Sequence, residues 1–476
     1  MRSGNAGRIA TLQDYSPMND TTFLPSDEIR SLFSRRMSEM YRAEVPLYGD
    51  LLDVVADVNA DSMREPTLLA QLRRNGELER IDVERHGAIR LGKPEELATM
   101  RRLFKVMGMA PVGYYDLSVA GVPVHSTAFR PVTDASLSNN PFRVFTSLLR
   151  LELIENPALR AEVQEILARR NIFTPRVLAL IEQAETAGGL TAAQAEEFVA
   201  QALETFRWHS EATVSKATYE KLLAAHRLIA DVACFKGPHI NHLTPRTLNI
   251  DDAQVEMTRR GMAAKDVIEG PPRRKVPILL RQTSFRALQE RVAFVGESEA
   301  EAGTHTARFG EIEQRGVALT RKGRALYDAL LSRVRDANGA GNAGADYQAR
   351  LDAAFSDFPD DLKTMREAGL GFFRYALTDR GRAANQDALA AKSLQALVDE
   401  GWLDAEPITY EDFLPVSAAG IFQSNLGSDE QKSYAANSAQ AVFEAALGAK
   451  VQDEIALYEE AQARSLKAAV PFLSAP

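Results

Sequence analysis

The sequence predicts an α+β protein in which a central mixed or antiparallel β-sheet is elaborated by many helices. Apolar residues recur at spacings of three, four and seven from Ser26 to Asn59 and again from about Leu149 to Phe235, which is typical of amphipathic helices. Short β-branched and aromatic runs lie between and after these blocks and indicate strands. An internal repeat of strand, helix and strand is the third observation, and it favours a duplicated unit.

The chain of 476 residues is long enough for about three domains, yet elaborated single units of this length are common. We interpret it as a flexible leader at 1–22 followed by one folded unit at 23–476. Within that unit we distinguish four parts: a first β-repeat at 70–135, a helical insertion at 149–235, a second β-repeat at 238–320, and a helical and irregular C-terminal part at 346–476. The Gly- and Ala-rich stretch 336–345 predicts a loop.

Composition and charge narrow the class of protein. Hydrophobic residues make up 45% of the chain and charged residues 25%, which is typical of a globular protein. A net charge of −9 without a long basic run argues against a nucleic-acid partner. Neither a secretory signal nor 18 uninterrupted apolar residues occur, and the only cysteine is Cys234, so we expect a soluble cytoplasmic protein with no membrane partner.

Two segments repeat one pattern of histidine, arginine and acid. The arginine follows the histidine after four residues and the acid after nine, as in His86, Arg90 and Glu95 and in His242, Arg246 and Asp251. A helical run follows in each segment and ends at Gly-Met-Ala, at 108–110 and 261–263. Acidic first turns and glycine stops are common in helices, but the matching histidines and arginines are not explained by capping. The pattern therefore favours a duplication.

The histidines can be searched by elimination for metal ligands. The chain has seven: His86, His125, His209, His226, His239, His242 and His305. The histidines at 125, 209, 226 and 305 have helical or turn-like surroundings and no supporting pattern. On an extended strand His239 and His242 would point to opposite faces. The repeat selects His242, which aligns with His86, and leaves His239 as a candidate orienting partner.

A carboxylate for the same site is predicted in the segment 309–316. Glu311 and Glu313 share one face if this segment is extended, so strand parity does not distinguish them, and a charged surface strand is the alternative. Two imidazoles and one carboxylate leave open positions on a divalent metal, which suits iron(II) and oxygen chemistry, although manganese and cobalt also fit. Arg90 shares the face of His86 and suits an acidic substrate.

Four segments in order together resemble the 2-oxoadipate dioxygenase/decarboxylase family. They are His-Gly-Ala-Ile-Arg at 86–90, Gly-Pro-His-Ile-Asn-His at 237–242, Phe-Gly-Glu-Ile-Glu-Gln-Arg at 309–315 and Asp-Phe-Leu-Pro-Val-Ser-Ala-Ala-Gly at 412–420. The likeness runs from about Phe23 to the C-terminus. It implies an iron(II) enzyme of lysine degradation that converts 2-oxoadipate and O₂ to 2-hydroxyglutarate and CO₂. It also implies a partial barrel of the vicinal-oxygen-chelate type, built from two βαβββ units.

The resemblance also implies roles for individual residues, and makes 23–476 a single catalytic unit. His86, His242 and Glu311 would hold Fe(II), Arg90 would be the catalytic residue that binds a substrate carboxylate, and Val416 would line the substrate pocket.

Two other functions remain open. One is an oxygen-independent, metal-dependent isomerase or lyase acting on a related 2-oxo acid, and the other is a non-enzymatic helical interaction protein. The sequence does not predict an oligomeric state.

Overall fold

The computed structural model describes residues 22–118, 121–296, 302–306, 308–336, 345–414 and 439–471. Its strands are short and form one five-stranded sheet and three two-stranded sheets within these residues. In chain order the strands are β1 (Arg85–Leu91), β2 (Ala110–Asp116), β3 (Val124–Arg130), β4 (Arg143–Leu149), β5 (Leu243–Pro245), β6 (Leu280–Ser284), β7 (Gln289–Val292), β8 (Gly303–Thr306), β9 (Glu311–Arg315), β10 (Phe373–Leu377) and β11 (Leu403–Pro407).

Helices precede, divide and follow these strands. Those before β5 are α1 (Ser26–Glu44), α2 (Pro46–Ser62), α3 (Pro66–Arg74), α4 (Pro94–Val106), α5 (Asp134–Asn139), α6 (Pro157–Ala168), α7 (Pro175–Ala187), α8 (Ala192–Leu203), α9 (Lys216–Ala225) and α10 (Arg227–Ala233). Those after it are α11 (Ile250–Arg259), α12 (Arg321–Asp336), α13 (Ala345–Ala354), α14 (Leu362–Glu367), α15 (Asp379–Ala383), α16 (Gln386–Ala390), α17 (Leu394–Asp399) and α18 (Glu454–Ala469). Residues 439–447 are also helical.

The first repeat forms most of the five-stranded sheet, whose order is β2-β3-β4-β1-β5. β1 runs parallel to β4, and the other pairs in this sheet are antiparallel. α4 connects β1 to β2, with Glu95 and Glu96 in its first turn and Gly108 after its last. Gly108 has φ +68°, a left-handed conformation that ends helices and favours glycine. The helix predicted in this repeat is confirmed.

The second repeat joins the first through an antiparallel pair of strands. β5 pairs with β1, so Thr244 lies opposite His86. α11 then begins with Asp251 and Asp252 in its first turn and is followed by Gly261 at φ +78°. Further along, β6 pairs with β9, and the β7–β8 hairpin lies between them in the chain. The pairing of β5 with β1 places the segments that contain His86 and His242 side by side.

A glycine permits the close approach of these two segments. A Cβ atom added to Gly87 would lie 2.4 Å from Cδ1 of Ile240 and 2.9 Å from the carbonyl oxygen of His242. Real Cβ atoms do not approach other heavy atoms this closely, so any larger residue would push the segments apart. The residue after the first predicted metal ligand thus sets the distance to the second.

Three apolar cores hold the helices against the sheets. The largest joins α1, α2, α4, α7, α8 and α11 to the five-stranded sheet. Phe33 in α1 packs edge-to-face on Phe206, with 5.3 Å between the ring centres. Burying a side chain of this size contributes about 1.5–3 kcal/mol, so the helices are firmly docked behind the sheet. A second core lies around β10, β11 and α18, and a third around α6, α9 and α10.

The α+β class with a mixed sheet and many helices is confirmed, while the partial barrel remains a prediction. The run Val-Pro-Ile-Leu-Leu at 276–280 is one of the short apolar runs that predict a strand, and this prediction is wrong, since β6 begins only at Leu280. Leu279 has φ +53°, which breaks an extended chain, and Ile278 forms only an isolated bridge to Val317. Most of the loop predicted at 336–345 lies outside the described residues. Among the described helices, none has the length and apolar character of a membrane span.

Candidate metal centre

Three side chains from three segments converge where the two repeats meet. His86 lies in β1, His242 comes directly before β5, and Glu311 opens β9. The Oε1 atom of Glu311 lies 3.1 Å from Nε2 of His86 and 3.7 Å from Nε2 of His242. One donor atom of each residue falls within 4.8 Å of the other two. The fold thus brings together the three residues that were predicted as metal ligands.

The surroundings of His86 fit a cation between its ring and Glu311. Its Nδ1 atom lies 3.0 Å from Oε2 of Glu313 and 3.4 Å from Nη2 of Arg143. A carboxylate only accepts and a guanidinium only donates, so the two contacts require opposite states of Nδ1. Only the contact with Arg143 has the geometry of a hydrogen bond, so Nε2 carries the ring N–H that donates to Glu311. A divalent metal ion between Nε2 and Glu311 would replace that proton, and an N–H on Nδ1 would then lie within 3.0 Å of Glu313.

The protonation states of the other two side chains also fit a metal. Burial lowers the pKa of His242 to about 4, although the negative charge of Glu311 opposes this shift. Burial raises the pKa of Glu311, but attraction to His242 and the hydrogen bond with His86 outweigh burial and leave that pKa below its usual value. Neutral imidazoles and an ionised carboxylate are the forms that bind divalent metals. The buried Nδ1 of His242 has no hydrogen-bond partner among the described residues.

Two neighbours orient the Glu311 carboxylate. The hydroxyl of Thr244 and the side-chain amide of Gln282 each donate to its Oε1 atom, both at 3.0 Å. Thr244 lies in β5 and Gln282 in β6, so both halves of the second repeat contribute. These contacts hold the Oε1 atom of the carboxylate beside the two imidazoles.

Glu313 lies on the opposite side of the His86 ring from Glu311. It accepts hydrogen bonds from Arg143 at 2.5 Å and from Arg315 at 2.9 Å, and it is buried. Burial raises its pKa, but the two guanidinium groups, Arg143 first, outweigh burial and hold the pKa well below its usual value. Glu313 is therefore ionised and paired with two arginines, and it lies 3.0 Å from Nδ1 of His86.

A cavity of about 660 Å³ opens from the three side chains. His86, His242 and Glu311 form one part of its wall, and Arg90 forms another. Much of the remaining wall is apolar, and its members are Ala88, Ile89, Leu117, Val122, Val124, Phe145, Leu228, Phe285, Ala287, Phe309, Phe413 and Leu414. The cavity therefore combines a large apolar surface with one polar region at the candidate ligands and another at Arg90, and Arg227 and Lys265 add further positive charge to its wall.

Arg90 reaches the cavity from the far end of β1. Its Nη1 donates to Oδ2 of Asp231 at 2.7 Å, and its side chain remains 30% exposed. Since a guanidinium has five N–H donors, contacts to one carboxylate oxygen leave others free to bind a ligand. His86 and Arg90 line one cavity, as their shared strand parity predicts.

A second group of potential metal ligands lies beside Arg90. Asp231, His239 and His305 are all buried and place one donor atom each within 4.8 Å of the others. His239 was expected to orient a ligand imidazole, but its ring lies against Asp231. Sequence reasoning missed Asp231, Gln282 and Thr244. No spacing signal could have found them, because their elements meet only in the folded chain.

The motif at 412–420 is described only in its first three residues, and Val416 lies outside the described residues. Asp412 pairs with Arg130 through two hydrogen bonds of 2.7 and 2.9 Å. Phe413 and Leu414 line the cavity directly before the segment that contains Val416. Phe413 also contacts the His86 ring edge-to-face at 5.0 Å. The beginning of this motif therefore belongs to the site.

Residues 33–425 match the family model described as 2-oxoadipate dioxygenase/decarboxylase. The chain belongs to this family. The 2-oxoadipate dioxygenase/decarboxylase of Pseudomonas putida is 59% identical over 462 residues, which cover 96% of this chain and 99% of that protein. The protein of the same name from Escherichia coli is 59% identical and covers 93% of this chain and 98% of its own.

Solved structures agree with this family membership. The hydroxyglutarate synthase of Pseudomonas putida in complex with 2-oxoadipate superimposes with a TM-score of 0.88 at 58% identity. The match covers 94% of this chain and 99% of the synthase. A Shigella flexneri protein of unassigned function, YdcJ, superimposes with a TM-score of 0.85 at 55% identity, and covers 94% of this chain and 99% of its own. The 2-oxoadipate dioxygenase/decarboxylase fold therefore extends over nearly the whole chain.

Proposed function

We propose that this protein is an iron(II)-dependent dioxygenase/decarboxylase that converts 2-oxoadipate and O₂ to 2-hydroxyglutarate and CO₂. The reaction balances when C1 leaves as CO₂, one oxygen atom of O₂ enters the new carboxylate and the other forms the hydroxyl group. The observation that carries the proposal is one cavity in which a two-histidine, one-carboxylate group and an arginine face a common apolar space, in a chain of this family.

His86, His242 and Glu311 are the residues that would hold the metal. Their donor set is the one that suits iron(II) with open positions, and a cation would take the place of the proton between His86 Nε2 and Glu311. Iron(II) bound there would activate O₂ and act as a Lewis acid towards the 2-oxo acid. With the metal on Nε2, Glu313 would accept a hydrogen bond from the N–H of Nδ1, which lies 3.0 Å away.

The two polar regions, one at each end of β1, suit a substrate with two acidic ends. The Cα atoms of His86 and Arg90 lie about 13 Å apart, since four steps along a strand separate them. 2-Oxoadipate has a 2-oxo acid at one end and a second carboxylate three CH₂ groups away. With the 2-oxo acid end beside the metal ligands, Arg90 would bind the far carboxylate through charge-assisted hydrogen bonds.

The apolar wall would bind the CH₂ groups of the substrate and exclude water from the reacting end. Phe145 and Phe413 pack with tilted rings whose centres lie 5.2 Å apart, and Phe413 also contacts His86. We include Val416 in the same wall, because Phe413 and Leu414, which line the cavity, precede it directly in the sequence. Exclusion of bulk water strengthens the attraction between Arg90 and a carboxylate, since the local dielectric falls.

Three broader features complete the proposal. The element order β1, α4, β2, β3, β4 supports a vicinal-oxygen-chelate arrangement in which 70–135, completed by β4, and 238–320 are the two βαβββ-like parts of a partial barrel. The helices between them would form an insertion, and 23–476 one catalytic unit. We also place the protein in the cytoplasm, because its only cysteine, Cys234, is a buried free thiol that suits a reducing compartment.

An oxygen-electrode assay on iron-loaded protein tests this function. We expect O₂ uptake with 2-oxoadipate and one 2-hydroxyglutarate and one CO₂ for each O₂ consumed. Protein stripped of metal with a chelator and then reloaded is the matched control, and activity should return only with the metal. Glutarate as the sole product, or turnover without O₂, would contradict the proposal, and turnover without O₂ would point to an isomerase or lyase.

A further inference from the structure

Asp231 connects Arg90 to two buried histidines. Its Oδ2 atom accepts from Nη1 of Arg90 at 2.7 Å, and its Oδ1 atom accepts from Nε2 of His305 at 2.9 Å. Nε2 of His239 lies 3.3 Å from the same Oδ1 atom, but at an angle that is not a hydrogen bond. Asp231 itself is 6% exposed. One carboxylate oxygen therefore binds Arg90 and the other binds His305, and the two contacts together fix the rotation of the carboxylate group.

The histidine side of this arrangement is itself held in place. Nδ1 of His305 lies 2.9 Å from the hydroxyl of Tyr219, which can donate to it and leave Nε2 as the N–H that faces Asp231. Trp208 packs on both rings, stacked on His305 with ring centres 6.3 Å apart and edge-to-face on His239 at 4.8 Å. These contacts come from α9, β8 and the segment that follows α8, all outside the metal centre, so they hold Asp231 independently of a bound ligand.

Asp231 is ionised in these surroundings. Burial raises the pKa of its carboxyl group, but the charge of Arg90 and the contacts with His239 and His305 outweigh burial and place the pKa well below its usual value. A buried ionised carboxylate is costly unless its partners remain, so the pair with Arg90 persists when the cavity is empty. The Arg90 side chain is consequently held in one conformation before a ligand binds.

Fixing Arg90 beforehand affects both affinity and selectivity. An arginine side chain loses up to about 2 kcal/mol of rotamer entropy when it is immobilised, and here folding rather than ligand binding carries that cost. One fixed guanidinium also sets one distance to His86, and hence one length of diacid that reaches both polar regions. A mobile guanidinium would accept shorter and longer chains.

We propose that Asp231, held by His305 and His239, is a positioning residue that fixes Arg90 and thereby selects the chain length of the 2-oxo diacid. The inference rests on the proposed role of Arg90 as the group that binds the far carboxylate. Asp231 lines the same cavity, but in this scheme it contacts Arg90 rather than the substrate or the metal. Its effect passes entirely through the Arg90 guanidinium.

Asp231→Asn tests the proposal, because the amide keeps the shape and removes the charge. We expect the KM for 2-oxoadipate to rise about tenfold or more, as a charge-assisted hydrogen bond is weakened, with a less than threefold fall in kcat. The preference in kcat/KM for 2-oxoadipate over 2-oxoglutarate, one carbon shorter, should narrow. A fall in kcat and bound iron at unchanged KM would mean a structural role and overturn the proposal.

A double-mutant cycle separates positioning from general damage. In the Arg90→Ala background, Asp231→Asn should change KM by less than twofold, because the residue through which it acts is gone. Equal effects in both backgrounds would overturn the proposal. His305→Gln keeps an N–H near the place of Nε2 and should retain most of the affinity, whereas His305→Phe should resemble Asp231→Asn. Equal affinities for these two variants would also overturn it.

Two further measurements do not depend on turnover. A crystal structure of Asp231→Asn should show the Arg90 guanidinium displaced or in several conformations, and an unmoved Arg90 would overturn the inference even if the variant is inactive. If the native protein does not use 2-oxoadipate but Arg90 moves in the variant, the proposed function fails and the positioning role stands.

Metal analysis should give one equivalent per chain for both proteins. Loss of a second equivalent in the variant would identify a metal site instead.

Discussion

Glu313 lies 3.0 Å from the Nδ1 atom of His86, on the side of the ring that faces away from Glu311. One imidazole therefore has a carboxylate on each nitrogen. Only Glu311 also approaches His242, at 3.7 Å, while Glu313 is paired with two buried arginines. The two glutamates share a strand face but have different environments, which makes their substitution informative.

Replacing the two glutamates should have unequal effects on metal binding. Glu311→Gln removes a charged ligand, and we expect it to abolish stoichiometric iron binding. Glu313→Gln leaves all three ligands and should weaken iron binding by about 10–100-fold, as the loss of an orienting partner typically does. Metal content after dialysis against defined free iron(II) measures both. Equal losses would contradict the assignment of Glu311 as the ligand.

Replacing Arg90 should remove the preference for a diacid. Arg90→Gln keeps a polar side chain but loses the charge, so the KM for 2-oxoadipate should rise about tenfold or more. 2-Oxohexanoate, which lacks the far carboxylate, is the matched substrate and should be used almost equally by both proteins. Steady-state kinetics with the two acids measure this. A similar loss with both substrates would mean that Arg90 does not bind the far carboxylate.

The buried pair of Arg130 and Asp412 should contribute strongly to stability. Two hydrogen bonds join the side chains, and Tyr458 donates a third to Asp412 at 2.6 Å. Asp412→Asn leaves a buried guanidinium without its counter-charge and should lower the free energy of unfolding by about 3–5 kcal/mol in urea titrations. The matched control is the exposed pair of Arg176 and Glu197, where Glu197→Gln should leave stability unchanged. Equal effects of both substitutions would contradict this.

His125 should make the metal-free protein less stable in acid. Burial, helped by the charge of Arg150, lowers the pKa of His125 to about 4, whereas in the unfolded chain it is about 6.5. The unfolded chain therefore takes up the proton first as the pH falls. The contribution of His125 is complete above pH 6.5 and is lost between 6.5 and 4, by roughly 2–3 kcal/mol at about pH 4.5.

His125→Gln should abolish this part of the pH dependence. The decrease in unfolding free energy between about pH 7.5 and pH 4.5 should be roughly 2–3 kcal/mol smaller in the variant than in the native protein. Urea titrations on metal-free samples measure it, so that iron release does not contribute. Parallel curves for the two proteins would show that His125 takes up its proton at the same pH in the folded and unfolded states.

The sequence predicted what local patterns determine and missed what only folding brings together. The helices with acidic starts and glycine ends at 94–106 and 250–259 are confirmed, because capping is encoded within a few residues. Parity predicted that Glu311 and Glu313 share a face, but it could not show that a histidine ring would lie between them. Asp231 and His305 lie 74 residues apart, and no local pattern connects them. The start of β6 was misplaced because a single left-handed residue, Leu279, interrupts an apolar run.

The antiparallel pair of β1 and β5 has a consequence for how the protein matures. His86 and Glu311 lie 225 residues apart in the chain, and the metal centre exists only where both repeats meet. Under the proposed function, a nascent chain would bind iron with full affinity only after residue 311 has left the ribosome and the second repeat has docked on the first. Iron loading would then report completed folding, and chains arrested before β9 would not take up iron.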